Sequence, residues 1–238
     1  MKIAIVLPSR GLIFTEVEDA IESQRKQFDI DVYRSWDLPI PDSFNILVER
    51  ALQDEKVEYI FFVEEDVVIP GDALKRLLAA VKKYHADIYC IDYAVGGWSC
   101  VAREKSLNEI LWCGLGCTLV KRVVFECLSR PWFRTDKSLR LNDWQWTDNP
   151  AKYGGQDIWF SRQAIDKGFT ICQVDGECRH LKLDELGKPE INKGLHTISE
   201  KPVLTKNQLI EVPEQPKTLT IDGKQVTVNF IGNVPTQL

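Results

Sequence analysis

The chain has 238 residues, 44% apolar and 27% charged, a balance that suits a soluble globular protein with one large α/β domain or two small ones. Net charge is −5 and no long basic run occurs, so broad electrostatic binding to nucleic acid is not indicated. No stretch approaches the ~18 consecutive apolar residues of a membrane span, and the short N-terminal apolar run is broken at Pro8, so neither a membrane anchor nor a leader is expected.

Lys2 to Leu7 reads as a strand and Pro8-Ser9-Arg10-Gly11 as the loop after it. Thr15 and the acids behind it open a helix to about Gln27, and Phe28 to Tyr33 alternates as a second strand would. Asp42 or Ser43 then caps a helix carrying Phe44, Leu47, Val48, Ala51 and Leu52 on one face. Tyr59 to Val63 is a third strand, apolar throughout as a strand covered on both faces is. Leu74, Leu77, Leu78 and Val81 mark a third helix, and Ala86 to Tyr93 a fourth strand. Strand and helix thus alternate in the manner of a doubly wound α/β sheet.

The second part is less regular. Leu111 to Val120 is apolar and carries Gly114 and Gly116, and Lys121 to Leu128 is a short helix. Residues 134–152 are polar and read as a long loop. Gly154-Gly155-Gln156-Asp157 opens a helix that Gly168 ends, Phe169 to Val174 is a strand, and Arg179-His180 follows. Near the C-terminus, residues 218–230 form a hairpin candidate with Asp222-Gly223 at its tip. The seven cysteines fit no close metal-knuckle spacing and lie mostly in apolar segments, which suits free thiols in a reducing, cytoplasmic setting.

Chemistry concentrates where the third strand runs into Glu64, Glu65 and Asp66. Acids at the carboxyl end of a buried strand are costly to desolvate unless a cation meets them, and in open α/β sheets ligands sit at that end. A divalent metal bridging protein to a phosphate-bearing substrate is one reading; a solvated acidic turn is the other.

Taken together, Pro8-Ser9-Arg10 after the first strand, Glu64-Glu65-Asp66 after the third, Gly-Gly-Gln-Asp at a late helix start and the lone His180 resemble a GT-A glycosyltransferase over residues 1–182. The resemblance implies a Rossmann-like α/β fold, with a nucleotide-binding half (1–95), an acceptor and catalytic half (96–182), and a C-terminal extension (183–238) bearing the hairpin. The family's DxD motif falls on Glu64 to Asp66. By resemblance Asp66 ligates Mn²⁺ or Mg²⁺, His180 is a further metal ligand, and Asp157 is the general base. Pro8, Ser9, Arg10, Asp37, Asn45, Glu64, Glu65, Gly114 and Gly155 would line the nucleotide-sugar site. Glu64 in place of Asp, and Gln156 in place of the usual Glu, depart from the pattern. A helix N-terminus is expected to depress the pKa of Asp157 and weaken it as a base.

The activity implied is transfer of a sugar, in the manner of a hexosyltransferase, from a nucleoside diphosphate donor to an acceptor hydroxyl with inversion. A UDP-sugar is the expected donor. The acceptor stays open among saccharide, protein and modified nucleic-acid base. Two rivals remain: a nucleotidyltransferase that makes nucleotide sugars, and a non-catalytic nucleotide-sugar-binding domain. Trp98, Trp112, Trp144 and Trp146 are the aromatics expected near a sugar. The tail hairpin would either cover the acceptor site or pair two copies into a homodimer.

Overall fold

The computed structural model describes residues 1–36, 38–95, 98–103, 109–140, 144–152, 154–183, 189–191, 217–221 and 224–228. Its first half runs β1 (Lys2–Leu7), α1 (Thr15–Arg25), β2 (Ile30–Arg34), α2 (Ile40–Leu52), β3 (Val57–Val63), β4 (Val67–Val68), α3 (Ala73–Lys83) and β5 (Ile88–Val95). The second half runs β6 (Trp98–Ser99), β7 (Val101–Arg103), β8 (Ile110–Cys113), β9 (Cys117–Lys121), α4 (Arg122–Cys127), β10 (Lys137–Arg140), β11 (Gln145–Asp148), α5 (Gln156–Asp166), β12 (Ile171–Leu183) and β13 (Pro189–Ile191). The hairpin β14 (Lys217–Ile221) and β15 (Lys224–Val228) follows.

The central sheet has the order β13-β12-β5-β9-β3-β1-β2. β2, β1, β3, β5 and β12 share one direction, and β9 is reversed. Alternation along each strand divides the core into two layers. Ile3, Ile5, Leu7, Phe61, Val63, Tyr89 and Ile91 pack under α1 and α3; Ala4, Val6, Ile60, Phe62, Ile88 and Cys90 pack under α2, α4 and α5. Phe62 is the hub of the second layer, with ring centroids 5.6–6.4 Å from Phe44, Phe125, Phe133 and Phe160. Helices on both faces of a mostly parallel sheet make this the α/β architecture expected, and the C-terminal hairpin pairs antiparallel as expected.

β9 inserts antiparallel between β3 and β5. Three expectations are corrected. Within the stretch 134–152 read as a loop, Lys137–Arg140 and Gln145–Asp148 pair as the antiparallel strands β10 and β11. α2 begins earlier than Asp42, after Pro39 with Pro41 in its first turn, where a missing N–H costs nothing. β12 does not stop at Val174. It bulges between Val174 and Cys178 around Gly176 (φ +146°), and runs on to pair Arg179 and His180 with Val68 and Val67 of β4.

Candidate active site

The carboxyl ends of β1, β3, β5 and β12 converge because these strands run the same way. β3 delivers Glu64 to Asp66, β5 delivers Tyr93 and Ala94, and β12 delivers His180. The bulge in β12 matters here: it turns the strand onto β4, so that Leu181 donates its N–H to the Asp66 carbonyl at 2.7 Å and His180 lies beside the Asp66 carboxylate.

His180 Nε2 is 3.3 Å from Asp66 Oδ2. Its Nδ1 lies 3.2 Å from the Ala94 carbonyl, so Nδ1–H donates there and Nε2 faces the acids. The Tyr93 ring meets the imidazole edge to face. Burial opposes charge on His180, but the Asp66 hydrogen bond and the charges of Asp66 and Glu64 outweigh it, and its pKa rises.

Glu64 is partly buried and accepts a hydrogen bond from Tyr93 OH at 3.1 Å. Burial first, then the charges of Asp66 and Asp157, push its carboxyl up to about 8. Tyr93 OH in turn accepts from the Gly116 N–H at 3.1 Å. This accounts for the glycines. A Cβ on Gly116 would lie 2.7 Å from Val67 Cγ2, and one on Gly114 would lie 2.9 Å from Cys100 Cβ and 2.8 Å from the Tyr93 ring. Gly114, expected along the sugar, thus makes room for Tyr93. Nothing in the sequence sets Tyr93 apart from any other aromatic in a strand.

Asp157 is the second residue of α5, which Gly155 starts from a left-handed conformation (φ +78°). Its Oδ1 accepts the Ile158 N–H at 2.9 Å. The expected acidification by the helix N-terminus is corrected: burial dominates, and the carboxyl sits above its ordinary value. Asp157 adds its charge to the field at Glu64, Tyr93 and Cys100, which places it in the same cluster.

Arg10 and Glu65 hold each other. Glu65 is 7% exposed and accepts both the backbone N–H of Arg10 (2.8 Å) and its Nε–H, while Arg10 Nη2 lies 3.4 Å from Asp66 Oδ2. Glu65 therefore anchors the loop after β1. Ser9 is buried with its hydroxyl turned back on its own loop, accepting from Gly11 N–H and donating to the Leu12 carbonyl. Pro8 is buried beside it. Asn45 bonds Pro41 and both backbone groups of Phe133, tying α2 to the segment before β10. Asp37 lies outside the described residues.

Beside this cluster opens a cavity of about 830 Å³. Leu38, Pro39, Ile40, Pro41, Pro131 and Phe133 give it apolar walls, and Arg10, Asp42, Asn45, Arg134, Asp136 and Lys152 its polar groups. Its size suits a nucleotide-sized ligand. Of the tryptophans expected near a sugar, Trp112 is buried with Leu111, Leu139 and Ala102, Trp98 lies in β6, Trp144 is exposed under Arg162, and Trp146 packs on Trp159 with centroids 4.7 Å apart. Two buried polar atoms on the first turn of α5, Gln156 Oε1 and Trp159 Nε1, make no hydrogen bond. The cysteines are free thiols, with Cys90 against Cys113 and Cys117 against Cys178.

A divalent cation fits what these residues present. Imidazole Nε2 and a carboxylate oxygen lie 3.3 Å apart, and both are atom types that ligate divalent cations. Among the described residues no group of three or more His, Cys, Asp or Glu is arranged to hold a metal. A pair of protein ligands suits an ion that takes its remaining oxygens from substrate phosphates and water.

The structure is similar to that of A197 from STIV, with a TM-score of 0.58 and 20% identity, over 80% of this chain and 94% of that one. This likeness shows a shared fold. S. aureus TarS 1-349 in complex with UDP-GlcNAc aligns with a TM-score of 0.45 and 14% identity, over 75% of this chain and 57% of that one. A glycosyltransferase involved in the glycosylation of the major capsid of PBCV-1 aligns at 0.34 and 11%, over 56% and 70%. No protein-family model and no curated protein matches the sequence. Among the described residues no helix is long and apolar enough to cross a membrane.

Proposed function

We propose that this chain is a metal-dependent glycosyltransferase of GT-A type. It moves a sugar from a nucleoside diphosphate donor, a UDP-sugar by resemblance, to an acceptor hydroxyl with inversion. The observation that carries the reading is the meeting of Asp66 Oδ2 and His180 Nε2 at 3.3 Å, within one cluster with Asp157 and beside a nucleotide-sized cavity.

Asp66 and His180 would hold Mn²⁺ or Mg²⁺, which when bound supplies Lewis-acid stabilisation to the departing diphosphate. The chain does the rest. The apolar walls of the cavity take the nucleoside, and the Arg10–Glu65 brace fixes the loop that borders it. Asp157 takes the proton from the acceptor hydroxyl as it attacks, a task its raised pKa favours. Attack from the face opposite the diphosphate is a single displacement and inverts the anomeric carbon. Tyr93 keeps Glu64 in place beside both acids.

The test is release of nucleoside diphosphate from a panel of nucleotide sugars with Mn²⁺. The wild type should turn over one of them, and Asp66→Ala and Asp157→Ala should do so far more slowly. Unchanged turnover in Asp66→Ala sinks the metal assignment; unchanged turnover in Asp157→Ala sinks the base.

A further inference from the structure

We propose that Lys152 is a ligand of the donor's diphosphate, an inference that rests on the donor reading above.

Among the described residues, the cavity that Arg10 borders presents three cations, and two of them are committed. Arg10 is bound to Glu65 and reaches Asp66. Arg134 grips Asp136 through two hydrogen bonds of 2.8 and 2.6 Å and lies over the Trp159 ring. Lys152 makes no side-chain hydrogen bond or ion pair with a described residue, yet lines the same cavity. A diphosphate entering here brings two or more negative charges into a chain of net charge −5, against a wall where Arg10 already reaches the Asp66 carboxylate. An ammonium group with no carboxylate of its own among the described residues is the side chain able to answer them.

The backbone holds Lys152 in place. Its N–H donates to the Asn149 carbonyl at 3.1 Å, closing a turn. Asn149 is pinned to the cavity wall by its N–H on the Asp136 carbonyl (2.8 Å) and its side-chain amide on the Thr135 carbonyl (2.9 Å). Lys152 itself is left-handed (φ +51°), a conformation an L side chain seldom adopts. The turn also precedes Gly155 and Asp157 directly, so the segment that carries the phosphate ligand carries the base.

The test is calorimetric titration, with Mn²⁺ present, of UDP, GDP, ADP, CDP and TDP and of the matching nucleosides. The wild type should bind one diphosphate more tightly than its nucleoside. Lys152→Met should weaken that diphosphate about tenfold or more while leaving the nucleoside unchanged, as loss of one charged hydrogen bond implies. Lys152→Arg should keep most of the affinity. Lys152→Gly, which relieves the backbone while removing the charge, should match Lys152→Met. If Lys152→Met binds the diphosphate as tightly as wild type, or weakens nucleoside and diphosphate alike, the inference falls and the donor reading stands. If the wild type binds none of the diphosphates, both fall.

Discussion

His180 Nε2 and Asp66 Oδ2 face each other across the two-residue pairing of β4 with the far half of β12. Neither strand alone would bring them together. Past the bulge around Gly176, β12 still pairs Cys178 with Tyr93 of β5 and then sets Arg179 and His180 against β4. Removing either side chain therefore has a specific expected result. Asp66→Ala should lower Mn²⁺-dependent turnover by roughly 10²-fold or more, and His180→Ala by a smaller factor, because one ligand of the pair survives. Metal titrations of activity should show a raised Mn²⁺ requirement in His180→Ala. An unchanged requirement would remove His180 from the ligand set.

Asp157 should set the acid limb of the pH profile. The base must be deprotonated, so the rate is kept above its folded pKa and lost as pH falls through it. Burial raises that pKa above the ordinary carboxylate value of about 3.9, so the limb should lie above that point. Asp157→Asn should reduce kcat by about 10²–10⁴-fold, and the residual rate should lose this limb. A limb that persists in Asp157→Asn would belong to another group.

Gly116 offers a structural check on the Tyr93–Glu64 arrangement. In Gly116→Ala the new Cβ meets Val67 and the Tyr93 ring inside van der Waals distance, and neither belongs to a flexible side-chain end. The variant should be destabilised by about 1–3 kcal/mol, measured by denaturant unfolding, as overpacked sites are. Activity should fall with it, because Tyr93 must shift and Glu64 with it.

Phe62→Ala should be the harshest core change. Phe62 is fully buried and touches four other phenylalanine rings, so its removal should cost about 3–5 kcal/mol. Thermal unfolding should show it. A loss comparable to that of a surface substitution would mean that the layer collapses into the gap.

Much of this arrangement is legible in the sequence. Lys2 to Leu7 and Tyr59 to Val63 are apolar runs that can only be covered strands, and β1 and β3 are those strands with residues 3–7 and 60–63 fully buried. Glu64 and Asp66 stand out because they end an apolar run; Asp157 and His180 enter through the resemblance, and His180 lies within β12 rather than after a strand end. What was not legible depends on partners distant in the chain. β9 looks like the continuation of an apolar stretch, and no local pattern tells it to insert between β3 and β5. β10 and β11 are polar on a hairpin with little core to face, so alternation is missing. Asn45 and Glu65 carry polar side chains that suggest ligand contact. Their partners, Phe133 and Arg10, lie 88 and 55 residues away and are invisible to local reading.

The position of β9 has a bearing on how the molecule is made. β3 and β5 each present a bare edge until residues 117–121 arrive to close both, and β12 is needed before the far side of β5 is covered. A nascent chain of about a hundred residues would hold Asp66 at the lip of an incomplete sheet, with two open edges exposed to any other strand it met. The meeting of His180 with Asp66 is therefore completed only after β12 has emerged. A fragment stopped before His180 would be a candidate for aggregation.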